Sequence, residues 1–175
     1  IFKIWEGGMS FHGALIGVII GTYFFSQKTK INTFFFLDVI ASVAPIGIFF
    51  GRIANFINSE LYGKPSNFFL SVVFPKVDMV ARHPSQIYEA LLEGILLFFI
   101  LIILIFKKRT RIGVCSSLFM VLYGLFRILI EQFREPDVQI GYLFNLFSMG
   151  SILSFAMIVA GLFIFIKIKN NEIYK

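Results

Sequence analysis

Long apolar runs separated by short clusters of Lys and Arg constrain this chain more than any other feature. The runs lie at about residues 10–26, 34–57, 85–106, 114–133 and 146–166, and charged groups gather between them. A helix needs about 20 residues to cross a hydrocarbon core about 30 Å thick, so five such helices use about 100 residues and leave the remainder for connections. With 58% of the 175 residues hydrophobic and 15% charged, the runs have no polar face to turn toward water. A soluble domain, a disordered chain and a coiled coil are therefore excluded. The expected fold is all-α: a single polytopic membrane helix bundle over residues 1–175, with five transmembrane helices and a small extramembrane head segment, residues 58–84, between the second and third. Pro65, Pro75 and Pro84 keep that segment from forming a long helix, and residues 68–74 read as a short strand or interfacial stretch. Asn32 and Thr33 are placed to cap the second helix.

The net charge of +6 does not point to nucleic acid, because the cations flank apolar runs and form no stripe along a polar helix. The partner is instead the lipid bilayer. Lys28 and Lys30, the stretch from Lys107 to Arg111, and the tail with Lys167, Lys169 and Lys175 all fall on one side of a five-helix bundle, which the positive-inside rule makes cytoplasmic. Residues 1–12, 58–84 and 134–145 then share the outer face. Cys115 is the only cysteine, so no intrachain disulfide exists; it sits near an inner helix end and reads as structural. The chain begins at Ile1 with neither Met nor a signal-peptide pattern, which reads as the C-terminal portion of a longer protein.

Charged residues in spans cost roughly 2.5–3.5 kcal/mol each at a helix centre on insertion scales. Asp38, Arg52, Glu89, Glu93, Arg127 and Glu131 therefore need partners, a cavity or the interface. Asp38, near the inner end, reads as a capping or snorkelling residue. The others lie toward the outer ends of three helices. Arg52, Asn55 and Ser59 share one face, with Asn58 and Glu60 beyond them; Arg127, Glu131 and Arg134 repeat the pattern; Tyr88, Glu89 and Glu93 follow Arg82-His83-Pro84-Ser85-Gln86. Each set taken alone could be a structural ion pair, but three helices bring guanidinium and carboxylate groups to one depth. That combination suits an anionic lipid headgroup, with acidic partners such as Glu60, Glu89 and Glu131 holding the guanidinium groups in its absence. Gly13, Gly17 and Gly21, answered by Gly47 and Gly51, read as small-residue faces for close helix packing. His12 stands just outside that stripe, either as an ordinary interfacial residue or as a functional one. No second ligand accompanies it at metal spacing. These features do not separate a lipid-modifying enzyme from a membrane transporter or channel subunit with an anion or lipid-headgroup site. Broken helices near the midplane would favour the transporter, and the one candidate break is Pro45 to Gly47.

The residues themselves go further. Gly51-Arg52-Ile53-Ala54-Asn55-Phe56-Ile57-Asn58-Ser59-Glu60-Leu61-Tyr62-Gly63-Lys64 resembles the signature of the prolipoprotein diacylglyceryl transferase family, bacterial inner-membrane enzymes that begin lipoprotein maturation. Gly7-Gly8-Met9-Ser10-Phe11-His12-Gly13, Arg82-His83-Pro84-Ser85-Gln86-Ile87-Tyr88-Glu89, Tyr123-Gly124-Leu125-Phe126-Arg127 running on to Arg134-Glu135-Pro136-Asp137, and Phe147-Ser148-Met149-Gly150 resemble its other characteristic stretches. The resemblance covers essentially the whole chain and implies about two further helices before it. Ser59 and Ala14 depart from the family's usual Gly, Tyr62 from Trp, Lys64 from Arg and Ser151 from Gln. Ser59 bears most on geometry, because Gly in that turn serves either a close backbone approach or a positive φ.

The resemblance implies transfer of a diacylglyceryl group from phosphatidylglycerol to the lipobox cysteine of a preprolipoprotein signal peptide, giving a thioether and glycerol phosphate. It also implies a multi-pass protein of the bacterial inner (cytoplasmic) membrane, with its active site toward the periplasmic side and no metal or organic cofactor. By the same likeness Arg52 and Arg127 clamp the phosphate, while Asn55, Asn58, Gly63, Glu131, Arg134 and Gly13 shape the substrate site. A thiol is mostly protonated at neutral pH and needs a base; His12 is the leading candidate and Glu60 the second.

Overall fold

A computed structural model describes residues 11–107, 110–135, 142–143 and 147–168, with the side chains at 11, 12, 142, 143 and 147–149 outside that description. The helices are α1 (Phe11–Thr29), α2 (Thr33–Asn58), α3 (Ser85–Glu89), a π-helical segment (Ala90–Leu96), α4 (Leu97–Phe106), α5 (Val114–Glu131) and α6 (Met149–Lys167). Two short antiparallel pairs accompany them: β1 (Val72–Val73) with β2 (Ala81–Arg82), and β3 (Tyr142–Leu143) with β4 (Phe147–Ser148). Helices thus form where apolar runs were expected, with ends shifted by a few residues. The all-α expectation is amended only by these two-residue strands, the first of which falls within the stretch expected to be strand or interfacial.

Four helices among the described residues are long and apolar enough to cross a membrane: Thr33–Asn58, Ser85–Phe106, Val114–Glu131 and Gly150–Lys167. The first expected span is a helix, α1, but is not one of the four. Asn32 caps α2, its Oδ1 accepting from the Phe34 N–H at 2.9 Å. α2 then continues through a buried Pro45 without interruption, so the one candidate midplane break is absent.

The distribution of polarity is that of a protein dissolved in lipid. Phe24, Phe50, Ile57, Ile103, Phe155 and Ile166 are all more than three-fifths exposed, while Asp38, Gln86, Glu89 and Glu93 are fully buried. Apolar side chains lose nothing by facing acyl chains, whereas ionised groups must find partners inside. Asp38 does so by capping a neighbouring helix: its carboxylate accepts from the backbone N–H groups of Gly113 at 2.6 Å and Ser116 at 2.7 Å, at the N-terminus of α5. It therefore fixes the N-terminal part of α2 to the start of α5 and does not snorkel.

The glycine stripe needs correction. A methyl group added at Gly17, Gly21, Gly47 or Gly51 would meet no atom within 4 Å, so these residues do not bring helices together. The close approaches lie elsewhere. At Gly94 a Cβ would stand 2.7 Å from Phe49 Cβ, which lets the π-helical segment press on α2; at Gly124 and Gly161 it would meet the carbonyl oxygens of Ser154 and Ser117 at 2.7 and 2.8 Å, where α5 lies on α6. Period alone could not distinguish these glycines from the others, because every one of them sits in an apolar helix.

At the C-terminal end of α2 the chain turns sharply. Ser59 takes φ 62° and ψ 34°, and its N–H bonds the carbonyls of Asn55 and Phe56. A side chain costs roughly 1–2 kcal/mol in the left-handed region. Ser59→Gly should therefore stabilise the protein by about 1 kcal/mol, read as a higher midpoint of thermal unfolding in detergent; an unchanged or lower midpoint would show that Ser59 makes up the cost through its side chain.

Candidate functional site

Three guanidinium groups and three carboxylates meet where the C-terminal ends of α2 and α5 lie beside α3 and the first turn of the π-helical segment. Arg52 on α2 places Nε 3.2 Å from Glu89 Oε2 and Nη2 3.0 Å from Glu93 Oε2. Arg127 on α5 contacts Glu89 Oε1 through Nη1 and Glu131 Oε2 through Nη2, the latter at 3.1 Å. Arg134, just beyond α5, comes within 3.5 Å of Glu89 Oε1. Glu89 is thus the hub, shared by three arginines, and both it and Glu93 are closed to solvent. Glu89 and Glu93 are four residues apart and so share one helix face. The π-helical segment begins directly after Glu89 and contains Glu93, and its wider turn alters the angular offset between them from that of an α-helix.

A second set of contacts roofs this cluster. Ser85 Oγ donates to the Leu61 carbonyl at 3.0 Å and Gln86 Nε2 to the Glu60 carbonyl at 2.6 Å, tying the first turn of α3 to the bend after α2. Gly63 lies between two strand-like stretches: its N–H donates to the His83 carbonyl, it bridges to Arg134, and the next N–H, of Lys64, donates to Phe133. A Cβ at Gly63 would collide with the His83 carbonyl and stand 2.7 Å from that of Phe133, so only Gly admits this approach. Lys64 Nζ adds a bond to the Gln132 carbonyl at 2.9 Å, a cation at the C-terminal end of α5. Arg82 completes the roof with Asp78 (2.6 Å), Glu135 (3.4 Å), the Gly63 carbonyl (3.3 Å) and the face of Tyr62, whose centroid is 4.9 Å away.

Beneath the cluster lies a cavity of about 800 Å³ between α1, α2 and α5. Its walls are almost wholly apolar, among them Leu15, Ile40, Ile48 and Phe119, with Gly47 and Gly51 leaving room on α2. Arg52 and Asn55 are its polar residues at the C-terminal end of α2, so one guanidinium faces both the carboxylates and the apolar space. Such an arrangement can hold an anionic head with an apolar tail. Among the described residues, no three His, Cys, Asp or Glu side chains gather as metal ligands.

The expected residues therefore divide. Arg52, Arg127, Glu131 and Arg134 come together, joined by Glu89 and Glu93, and Asn55 lines the cavity beside Arg52. Asn58 and Glu60 are exposed and do not line the cavity, and Glu60 enters no ion pair among the described residues, so the expectation that it holds a guanidinium is not met. Gly63 has a packing role in the roof. Gly13 lies in the first turn of α1. The side chain of His12 lies outside the described residues, as do residues 1–10 and 136–141. Sequence reasoning missed the roles of Ser85, Gln86 and Gly94; the polar pair immediately after Pro84, at a helix start, was the available signal.

A family model described as prolipoprotein diacylglyceryl transferase matches residues 1–167. Curated proteins called phosphatidylglycerol--prolipoprotein diacylglyceryl transferase are similar: that of Rickettsia bellii (strain OSU 85-389) is 52% identical over 177 residues, and that of Rickettsia typhi (strain ATCC VR-144 / Wilmington) 49% identical over 173. These alignments cover 100% and 98% of this chain and 67% of each relative, so the chain spans about two thirds of their length. The relative from Rickettsia akari (strain Hartford) is 53% identical over 163 residues, 92% of this chain and 63% of its own.

The roof carries a pH dependence. Hydrogen bonds from Arg82, and then from the Val80 N–H, hold the Asp78 carboxyl below its ordinary value. A carboxyl lowered on folding contributes stability above its unfolded value, about 3.9, and that contribution is lost as pH falls through the folded value. Acidification below about pH 4 should thus loosen residues 58–84 selectively, read as faster proteolysis there. Asp78→Asn should make the segment loose already at neutral pH and remove the acid step; a step of unchanged size would assign it to another carboxyl.

Proposed function

The chain belongs to the prolipoprotein diacylglyceryl transferase family, and from that membership we propose that it moves the diacylglyceryl group of phosphatidylglycerol onto the lipobox cysteine of preprolipoproteins. The supporting observation is the position of Arg52, with its guanidinium between a buried carboxylate cluster and an apolar cavity of about 800 Å³. A phospholipid has that same polarity: an anionic phosphodiester joined to apolar chains. In this reading the acyl chains occupy the cavity and the phosphate meets Arg52 at its outer end, with Arg127 behind it.

The thiol sulfur attacks the terminal glyceryl carbon, a C–S bond forms, and the C–O bond to phosphate breaks with its electron pair going to the phosphate oxygen. Arginine stabilises the departing phosphate because its planar fork offers two parallel N–H donors and remains charged. Asn55 assists at the cavity wall, while Asn58, Gly63, Glu131, Arg134 and Gly13 shape the surrounding site. His12 receives the thiol proton, with Glu60 as the second candidate. The protein sits in the inner membrane with α1 as a fifth span, and residues 58–84 form a periplasmic head above the site.

Labelled phosphatidylglycerol and a lipobox peptide test the activity directly, with labelled thioether as the product. Arg52→Lys keeps the charge but loses the fork, and one or two charge-assisted bonds at about 1.5–3 kcal/mol each correspond to at least a tenfold fall in turnover. Near-normal turnover with normal insertion would reduce Arg52 to a structural cation. His12→Gln should cost roughly 10²–10⁴ in rate, the usual worth of a general base, while phosphatidylglycerol still binds. Unchanged turnover would transfer the base role to Glu60 or to no protein residue at all.

A further inference from the structure

Among the described residues the carboxylate cluster is balanced before any lipid arrives: Arg52, Arg127 and Arg134 face Glu89, Glu93 and Glu131, three formal charges against three. A phosphodiester adds one negative charge to a site where water is largely excluded, and an uncompensated charge in such surroundings is strongly unfavourable. The site must shed an anion or gain a cation.

The geometry singles out one carboxylate. Glu89 is held by three arginines; Glu131, whose Oε2 stands 3.1 Å from Arg127 Nη2 without accepting a hydrogen bond, is partly open to solvent, whereas Glu93 is closed. Glu93 has a single hydrogen bond, from Arg52 Nη2 to Oε2 at 3.0 Å; its other oxygen, Oε1, is buried, accepts no hydrogen bond, and lies 3.9 Å from Arg127 Nη1. Its surroundings are Arg52 on α2, Glu89 one turn earlier on its own helix, and Arg127 and Tyr123 on α5. Arg52 is also the residue that lines the cavity. If Arg52 turns its Nη2 toward a phosphate, Glu93 retains only a distant cation.

We infer that Glu93 is the counter-ion that the lipid phosphate displaces from Arg52, and that each phosphodiester bound draws one proton from the outer aqueous phase onto Glu93 Oε1. The balance is simple: one phosphodiester anion and one proton enter, the Arg52–Glu93 contact breaks, and the cluster remains neutral. The inference rests on the phosphatidylglycerol reading above and adds to it a positioning residue and a proton requirement. When the phosphate product leaves, Glu93 releases the proton and recaptures Arg52.

Short-chain phosphatidylglycerol titrated calorimetrically into the full chain in detergent, in two buffers of different ionisation enthalpy near neutral pH, reads the number of protons taken up. The expected value is close to one per lipid, with a dissociation constant that rises about tenfold per pH unit. Glu93→Gln should bind the lipid without proton uptake and without that slope, whereas Glu93→Asp should retain both. Binding by the unaltered protein with no proton uptake would overturn the inference whether or not the variants fold, and leave the lipid reading standing; uptake persisting in Glu93→Gln would overturn it as well. Failure of the unaltered protein to bind phosphatidylglycerol at all would remove both together.

Discussion

The contact between Glu89 and three arginines is the constraint around which one half of the molecule is arranged. A carboxylate with no access to solvent cannot persist ionised unless cations from other elements reach it, so α2, α3 and α5 must converge at one depth. Removing any one guanidinium would strand a buried charge, a loss on the order of 3–5 kcal/mol. The π-helical segment, the close approach at Gly94 and the roof built on Gly63 all serve that convergence, because each places a backbone where the charged side chains can meet. Asp38 does the corresponding work at the other end, clamping α2 to the start of α5.

Between these two polar anchors the helices are free to stand apart, and they do. The glycines on α2 that face α1 leave space where close packing was expected, and the space is the apolar cavity. Its volume is in the usual range for a small-molecule site, which is what the proposed lipid reading requires. Ion pairs fix the framework and small residues keep its interior open, so the framework and the open space rest on different residues of the same helix.

Membership of the transferase family gives this division a chemical meaning. In the proposed reading a phosphodiester leaving group needs charge stabilisation that does not reorganise during reaction, and guanidinium groups held by buried carboxylates would provide that fixed orientation. The same carboxylates would then compete with the phosphate for those donors, which makes the exchange of partners by Arg52 as important to the proposal as the presence of Arg52 itself.

Membrane-spanning helices and the depth of the charged residues were legible in the sequence, because hydrocarbon imposes length and polarity rules that act residue by residue along a helix. The intrahelical pair of Arg127 and Glu131 could be read from its spacing, and the left-handed turn at Ser59 was flagged by the residue usual there. Partner choice across helices was not legible. Which glycines touch, which helix Asp38 caps, and that Glu60 stays exposed while Glu93 binds Arg52 depend on how one helix is rotated against another. That rotation is set by the summed packing of three elements and by a π-helical segment whose wider turn leaves no mark in apolar periodicity, so tertiary structure alone decided it.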